Sequence, residues 1–227
     1  VSAPIEIMQK ALQEVGIGFL YAPLYHPALA GVAKIRRELG VRTIFNILGP
    51  LCNPAAADCQ LLGVYDQKLL IPLARVLRTL GVRKALVVHG QDVGDEITLT
   101  GVTQACLLSG KKITGIRMKP SDFGLRKVSL KDILIKDVKS SAALIRAILD
   151  GEHTPARDVV IANAAACLYI AGKARDFKEG ALRAAVLIDE GKVKIDICVN
   201  ENCGAIHLDP GELKSIIKNQ TALSSAK

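Results

Sequence analysis

Aromatic residues are scarce in this chain: four Phe, four Tyr and no Trp among 227 residues. Stacking platforms for unpaired bases are therefore poorly supplied. No apolar run reaches the roughly 20 residues that a bilayer span needs. The longest, from Val159 to Gly172, contains Asn163 and reads as a buried helix. Six Cys are too few for a disulfide scaffold, and Cys52, Cys59, Cys106 and Cys167 lie scattered in apolar or loop contexts. We expect buried, reduced thiols in a cytoplasmic protein, or a plastid one were the source eukaryotic. Cys198, Cys203 and His207 lie close together, but they lack paired spacing and a fourth ligand. They are expected to be incidental to a loop. No signal peptide opens the chain, and its first residue is Val1 rather than Met, so a portion of a longer product is expected.

What is present is ample core material. Half the residues are hydrophobic and 23% are charged, which excludes intrinsic disorder. The net charge is +8, and it is spread evenly. Residues 1–113 carry 12 basic and 8 acidic side chains, and the remainder carries 18 and 14. A nucleic-acid-binding face would cluster its charge, so the even spread argues against one and suits anionic small molecules.

Periodicity predicts helices over Pro4–Val15, Pro27–Leu39, Lys68–Leu80, Val138–Leu149, Asp158–Ala171 and Phe177–Glu190. It predicts strands over Gln60–Tyr65 and Lys84–His89, which with the intervening helix form a parallel crossover unit. Ile97–Thr100, Thr103–Leu108 and Lys112–Met118 are short β-rich pieces between Gly turns, an antiparallel excursion. The class is α/β, with a central, mostly parallel sheet and flanking helices. Periodicity weakens from Lys192 onward.

Four places hold unusual residue choices. On the helix that begins at Pro27, Arg36 shares a face with Leu29, Val32 and Ala33. It reads either as a snorkelling surface residue or as a fork for a carboxylate or phosphate. His26 stands at the mouth of that helix. The stretch Arg42 to Pro54 is broken by Gly49, Pro50 and Pro54 into a backbone that is neither helix nor strand throughout. Such a loop brings amides near a ligand or forms a rigid turn. Just after the second strand comes HGQDVGDE, whose adjacent Asp95 and Glu96 suit Mg2+ held together with substrate phosphates, or else form a solvated acidic turn. The fourth, Asn163-Ala-Ala-Ala, is read chiefly as small residues for close helix packing.

Together GIGFLYAPLYHPAL, RRELGVRTIFNILGPLCNPAA, QLLGVYD, ALVVHG, DEITLTG, DFGL and NAAACLYIAGKA, in this order and spacing, resemble the anthranilate phosphoribosyltransferases. The likeness runs from about Glu14 to Gly191. It implies a nucleoside-phosphorylase/phosphoribosyltransferase-like α/β domain over residues 1–191 and an unassigned, divergent tail over 192–227. It implies transfer of phosphoribosyl from phosphoribosyl pyrophosphate (PRPP) to anthranilate, a step of tryptophan biosynthesis. His26, Arg36, Gly49 and Pro50 fall at the family's anthranilate positions, and Asp95 and Glu96 at its acidic pair for Mg2+. The family's Gly-Thr-Gly-Gly-Asp loop and the helical domain through which it forms homodimers have no counterpart in these residues. The chain on its own is therefore expected to have negligible activity. The acidic turn reads DVGDE where DGLDE is usual, so its Gly is displaced. A pyrimidine-nucleoside phosphorylase, a basic nucleic-acid-binding relative of the same fold and a non-catalytic scaffold are the alternatives.

Overall fold

The computed structural model describes residues 4–14, 16–18, 20, 22–26, 38 and 45–193. The chain divides into two compact units, Val1–Pro54 with Ile195–Lys227, and Ala55–Lys194. In the first lie the helices α1 (Ile5–Glu14), α2 (Ala22–Tyr25) and α3 (Phe45–Leu51). The last is a correction to the sequence reading. The segment around Gly49 and Pro50 is helical, with Pro50 inside its last turn and the amide of Cys52 donating to the carbonyl of Leu48 at 3.1 Å.

The second unit opens with β1 (Cys59–Gly63), a turn of 3-10 helix capped by Asp66, α4 (Leu70–Thr79) and β2 (Lys84–Gly90). This is the parallel crossover expected: β1 and β2 pair in parallel, Cys59 opposite Lys84 and Gly63 opposite Val88. β3 (Thr103–Ser109) and β4 (Lys112–Met118) then add antiparallel strands, giving the order β1-β2-β3-β4. The antiparallel excursion is as expected, and among the described residues it makes up more of the sheet than the parallel part. Among the described residues one pair is parallel and two are antiparallel, because only the β1–β2 connection contains a helix long enough to return the chain in the same direction. The β3–β4 link is Gly110-Lys111 alone, which permits nothing but a hairpin.

Three helices follow: α5 (Val138–Leu149), α6 (Pro155–Ile170) and α7 (Phe177–Asp189). Side chains of Asp137, Thr154 and Asp176 cap their first turns, accepting from the amides of Ser140, Arg157 and Glu179. β2 is buried on both faces, which explains its unbroken apolar run. Leu86 and Val88 join Ile161, Ala165, Ala181 and Ala184 of α6 and α7 in one core. Their neighbours Ala85 and Val87 point to the other face, where α4 packs with Leu73, Ala74 and Leu77 fully or nearly fully buried. Of the three alanines after Asn163, Ala165 and Ala166 have no exposed surface and pack as expected, and Ala164 is half-buried.

Among the described residues the four cysteines are free thiols. Cys106 is buried and burial pushes its thiol up, but Cys52 and Cys167 are exposed, against the expectation of burial throughout. No described helix is long and apolar enough to cross a membrane. The predicted helix Pro27–Leu39 (Glu38 excepted), the tail beyond Val193, and with it Cys198, Cys203 and His207 lie outside the described residues.

Candidate functional site

Ligands of open α/β sheets bind beyond the carboxyl ends of parallel strands. Here that place is closed over by the loop that leaves β2. His89 donates from Nδ1 to the carbonyl of Val64 at 2.9 Å, and the amide of Val64 donates to the carbonyl of Val88 at 2.9 Å, so the ends of the two strands are tied. Gly90 and Gly94 then exchange backbone hydrogen bonds of 2.7 and 2.9 Å, with Gly94 at φ +82°. This closes a tight turn and delivers Asp95 and Glu96 onto the strand ends.

How close they come is set by two glycines. A Cβ on Gly63 would stand 1.7 Å from the Asp95 carbonyl oxygen, and one on Gly90 would stand 2.6 Å from that of Glu96. Neither approach is compatible with any other residue. The glycines of QLLGVYD and ALVVHG are therefore seats for the acidic turn. The side chains of Asp95 and Glu96 are exposed and, among the described residues, take part in no hydrogen bond or ion pair.

The following segment is fastened by side chains. Ile97 and Leu99 are fully buried, while Thr98 and Thr100 turn their hydroxyls to the carboxylate of Asp92, Thr98 at 3.2 Å. The amide of Ile97 donates to Asn163 Oδ1 (3.2 Å), that of Thr98 to Thr103 Oγ1 (3.0 Å) and that of Thr100 to Thr98 Oγ1 (3.0 Å). The sequence alternation over Ile97–Thr100 predicts a strand. The alternation is real, but its donors are satisfied by hydroxyl and amide side chains in place of a neighbouring strand, so no ladder forms.

Asp92 is occupied by this network, and no group of three or more His, Cys, Asp or Glu among the described residues could hold a metal. Two carboxylates without partners among the described residues, on a fixed backbone, are nevertheless the donor set that Mg2+ accepts when phosphate and water oxygens complete its octahedron. In this respect the residues fit the ion.

Of the residues singled out from the sequence, Asp95 and Glu96 are brought together on one turn. His26 follows α2 and is half-buried, and Gly49 and Pro50 lie in α3. Arg36 lies outside the described residues. Gly49 has no positive φ, and a Cβ there would meet nothing within 4 Å among the described residues. Asn163 is the residue whose role sequence reasoning underrated. The signal was an amide inside an apolar helix, which has to find partners.

A family model described as "Glycosyl transferase family, a/b domain" matches residues 1–194. The anthranilate phosphoribosyltransferase of Clostridium kluyveri is 51% identical over 185 residues, which cover 82% of this chain and 55% of the relative. Among solved structures, the enzyme of the same name from Thermus thermophilus has 40% identity and a TM-score of 0.76, over 84% of this chain and 56% of its own. That from Saccharomyces cerevisiae, in complex with PRPP and Mg, has 28% identity and a TM-score of 0.68, over 77% and 50%. The chain thus spans little more than half the length of the relatives it matches.

Proposed function

The chain belongs to the glycosyl transferase family with an a/b domain, and from that premise we propose that it is the α/β portion of an anthranilate phosphoribosyltransferase. The complete enzyme would join the anthranilate amine to the anomeric carbon of PRPP and release pyrophosphate, giving N-(5-phosphoribosyl)anthranilate. The observation that carries the reading is the Asp95–Glu96 turn, seated by Gly63 and Gly90 over the ends of β1 and β2 with both carboxylates unengaged among the described residues.

Mg2+ bound with the pyrophosphate supplies charge neutralisation for a polyanionic leaving group. Asp95 and Glu96 would hold it from the protein side. Arg36 would clamp the anthranilate carboxylate through its planar fork, and His26 with α3 at Gly49 and Pro50 would wall the aromatic ring. Among the described residues nothing comes within 4 Å of a Cβ placed on Gly49, which supports an approach of ligand to that helix. An aromatic amine attacks without a strong base, so these residues position and no general base is assigned. Homodimerisation through a helical domain belongs to the same proposal. So does a cytoplasmic location, or a plastid one were the source eukaryotic.

The test is a fusion of this chain to the N-terminal part of the Clostridium kluyveri relative. It is expected to convert anthranilate and PRPP, and Arg36→Ala is expected to raise KM for anthranilate at least about tenfold while leaving that for PRPP near its original value. Equal effects on both substrates would remove Arg36 from the anthranilate site.

A further inference from the structure

The peptide unit between Glu96 and Ile97 is held at both ends. Its carbonyl oxygen presses against Gly90, where a Cβ would come within 2.6 Å, and its N–H donates to Asn163 Oδ1 at 3.2 Å. Asn163 Nδ2 returns a bond to the carbonyl of Ile97 at 3.3 Å and spends its other hydrogen on the carbonyl of Val159, one turn back in α6, at 3.0 Å. All three partners are complementary, so the amide has one orientation. It grips Ile97 as a neighbouring strand would, by both backbone groups.

Ile97 is fully buried, so its N–H and C=O need partners, and Asn163 supplies both, where an apolar side chain at position 163 would leave them unpaired among the described residues. The same grip sets register: it fixes how far along α6 the acidic turn sits and how the Glu96–Ile97 peptide plane is tilted. On the opposite side Gly63 and Gly90 set the depth. We propose that Asn163 is a positioning residue for the acidic pair, holding Ile97 so that the Asp95 and Glu96 carboxylates converge on one divalent cation. The inference rests on the reading of that pair as the cation's protein ligands.

The experiment is a titration of the 227-residue chain with Mn2+ alone, following the free ion by electron paramagnetic resonance, with thermal unfolding recorded in parallel. The variants are Asn163→Ala, Asn163→Ser, the double substitution Asp95→Asn with Glu96→Gln, and Ala184→Gly as a destabilised control on α7. Residues that orient metal ligands typically contribute about 10- to 100-fold in affinity. Both Asn163 variants are expected to weaken Mn2+ binding at least about tenfold, and Ala184→Gly is expected to lower the unfolding midpoint without changing affinity. Unchanged Mn2+ affinity in the folded Asn163 variants, beside a loss in the double variant, overturns the positioning role and leaves the metal reading intact. A double variant that binds like the parent, or a parent that binds no Mn2+, removes the metal reading itself. Equal weakening by Ala184→Gly, or failure of both Asn163 variants to fold, makes the residue structural and overturns the proposal.

Discussion

Gly63 and Gly115 are both strand glycines, yet they stand in opposite surroundings. The first faces the Asp95 carbonyl at a distance no Cβ tolerates, whereas a Cβ on Gly115 in β4 would meet nothing within 4 Å. Gly63→Ala is therefore expected to cost about 2 kcal/mol, because the clash is with backbone and only movement of the whole turn relieves it. Gly115→Ala is expected to be neutral or slightly stabilising, since it removes only the extra freedom of glycine in the unfolded chain. Denaturant unfolding of the two variants checks this. Comparable losses would mean that the acidic turn yields readily and is not seated on β1 at all. The displaced glycine of DVGDE finds its explanation at this scale too. Gly94 takes the left-handed conformation at φ +82° and closes the exchange of hydrogen bonds with Gly90, so the turn keeps a glycine where its geometry needs one.

At the scale of elements, the start of α7 concentrates more charge-assisted bonding than any other described helix end. Asp176 accepts from the Glu179 amide at 2.8 Å, and the Glu179 carboxylate accepts from the Arg175 amide and side chain and from Arg183. The backbone bond from Arg175 is the leading cause, followed by the two guanidinium groups, and together they hold Glu179 down to about 2 from 4.5. A carboxyl depressed by folding contributes stability that is fully present above its unfolded value and lost as pH falls through the folded one. The gap in unfolding midpoint between the parent and Glu179→Gln is expected to be full above about pH 4.5 and to close on approach to pH 2. A pH-independent gap would assign the effect to packing. Which elements can be read from the sequence follows from the same local physics. α5, α6, α7 and the β3–β4 hairpin are legible to within a few residues because periodicity, caps and turn glycines all agree there. α3 is hidden by Gly49 and Pro50, which are poor helix formers but sit near the helix end, where they do little harm. Ile97–Thr100 looks like a strand because alternation reports which side is buried and not who accepts the hydrogen bonds. Asp95 and Glu96 can be found from the sequence, but Asn163, Gly63 and Gly90 are joined to them only by the fold, across 66 residues in the case of Asn163 and Ile97.

For the whole molecule the question is what two carboxylates would do for a cation and its phosphate partner without further help. Asp95 and Glu96 carry the same sign as a pyrophosphate, so by themselves they attract the metal and repel the group the metal has to meet. A transferase site resolves this with a cradle of backbone amides and cations around the phosphates. The family's Gly-Thr-Gly-Gly-Asp loop is the natural supplier, and no such run occurs in these 227 residues. The net charge of +8 does not substitute for it, because each half of the sequence holds +4 and a diffuse positive field steers anions without fixing them. The 227-residue chain alone is accordingly expected to form no measurable phosphoribosyl-anthranilate from anthranilate, PRPP and Mg2+, whereas the fusion proposed above is expected to form it. Product formation by the chain alone, at a rate near that of the fusion and abolished by Asp95→Asn, would show that residues already present cradle the pyrophosphate. The even charge would then have to conceal a cation cluster that neither sequence spacing nor the described residues bring together.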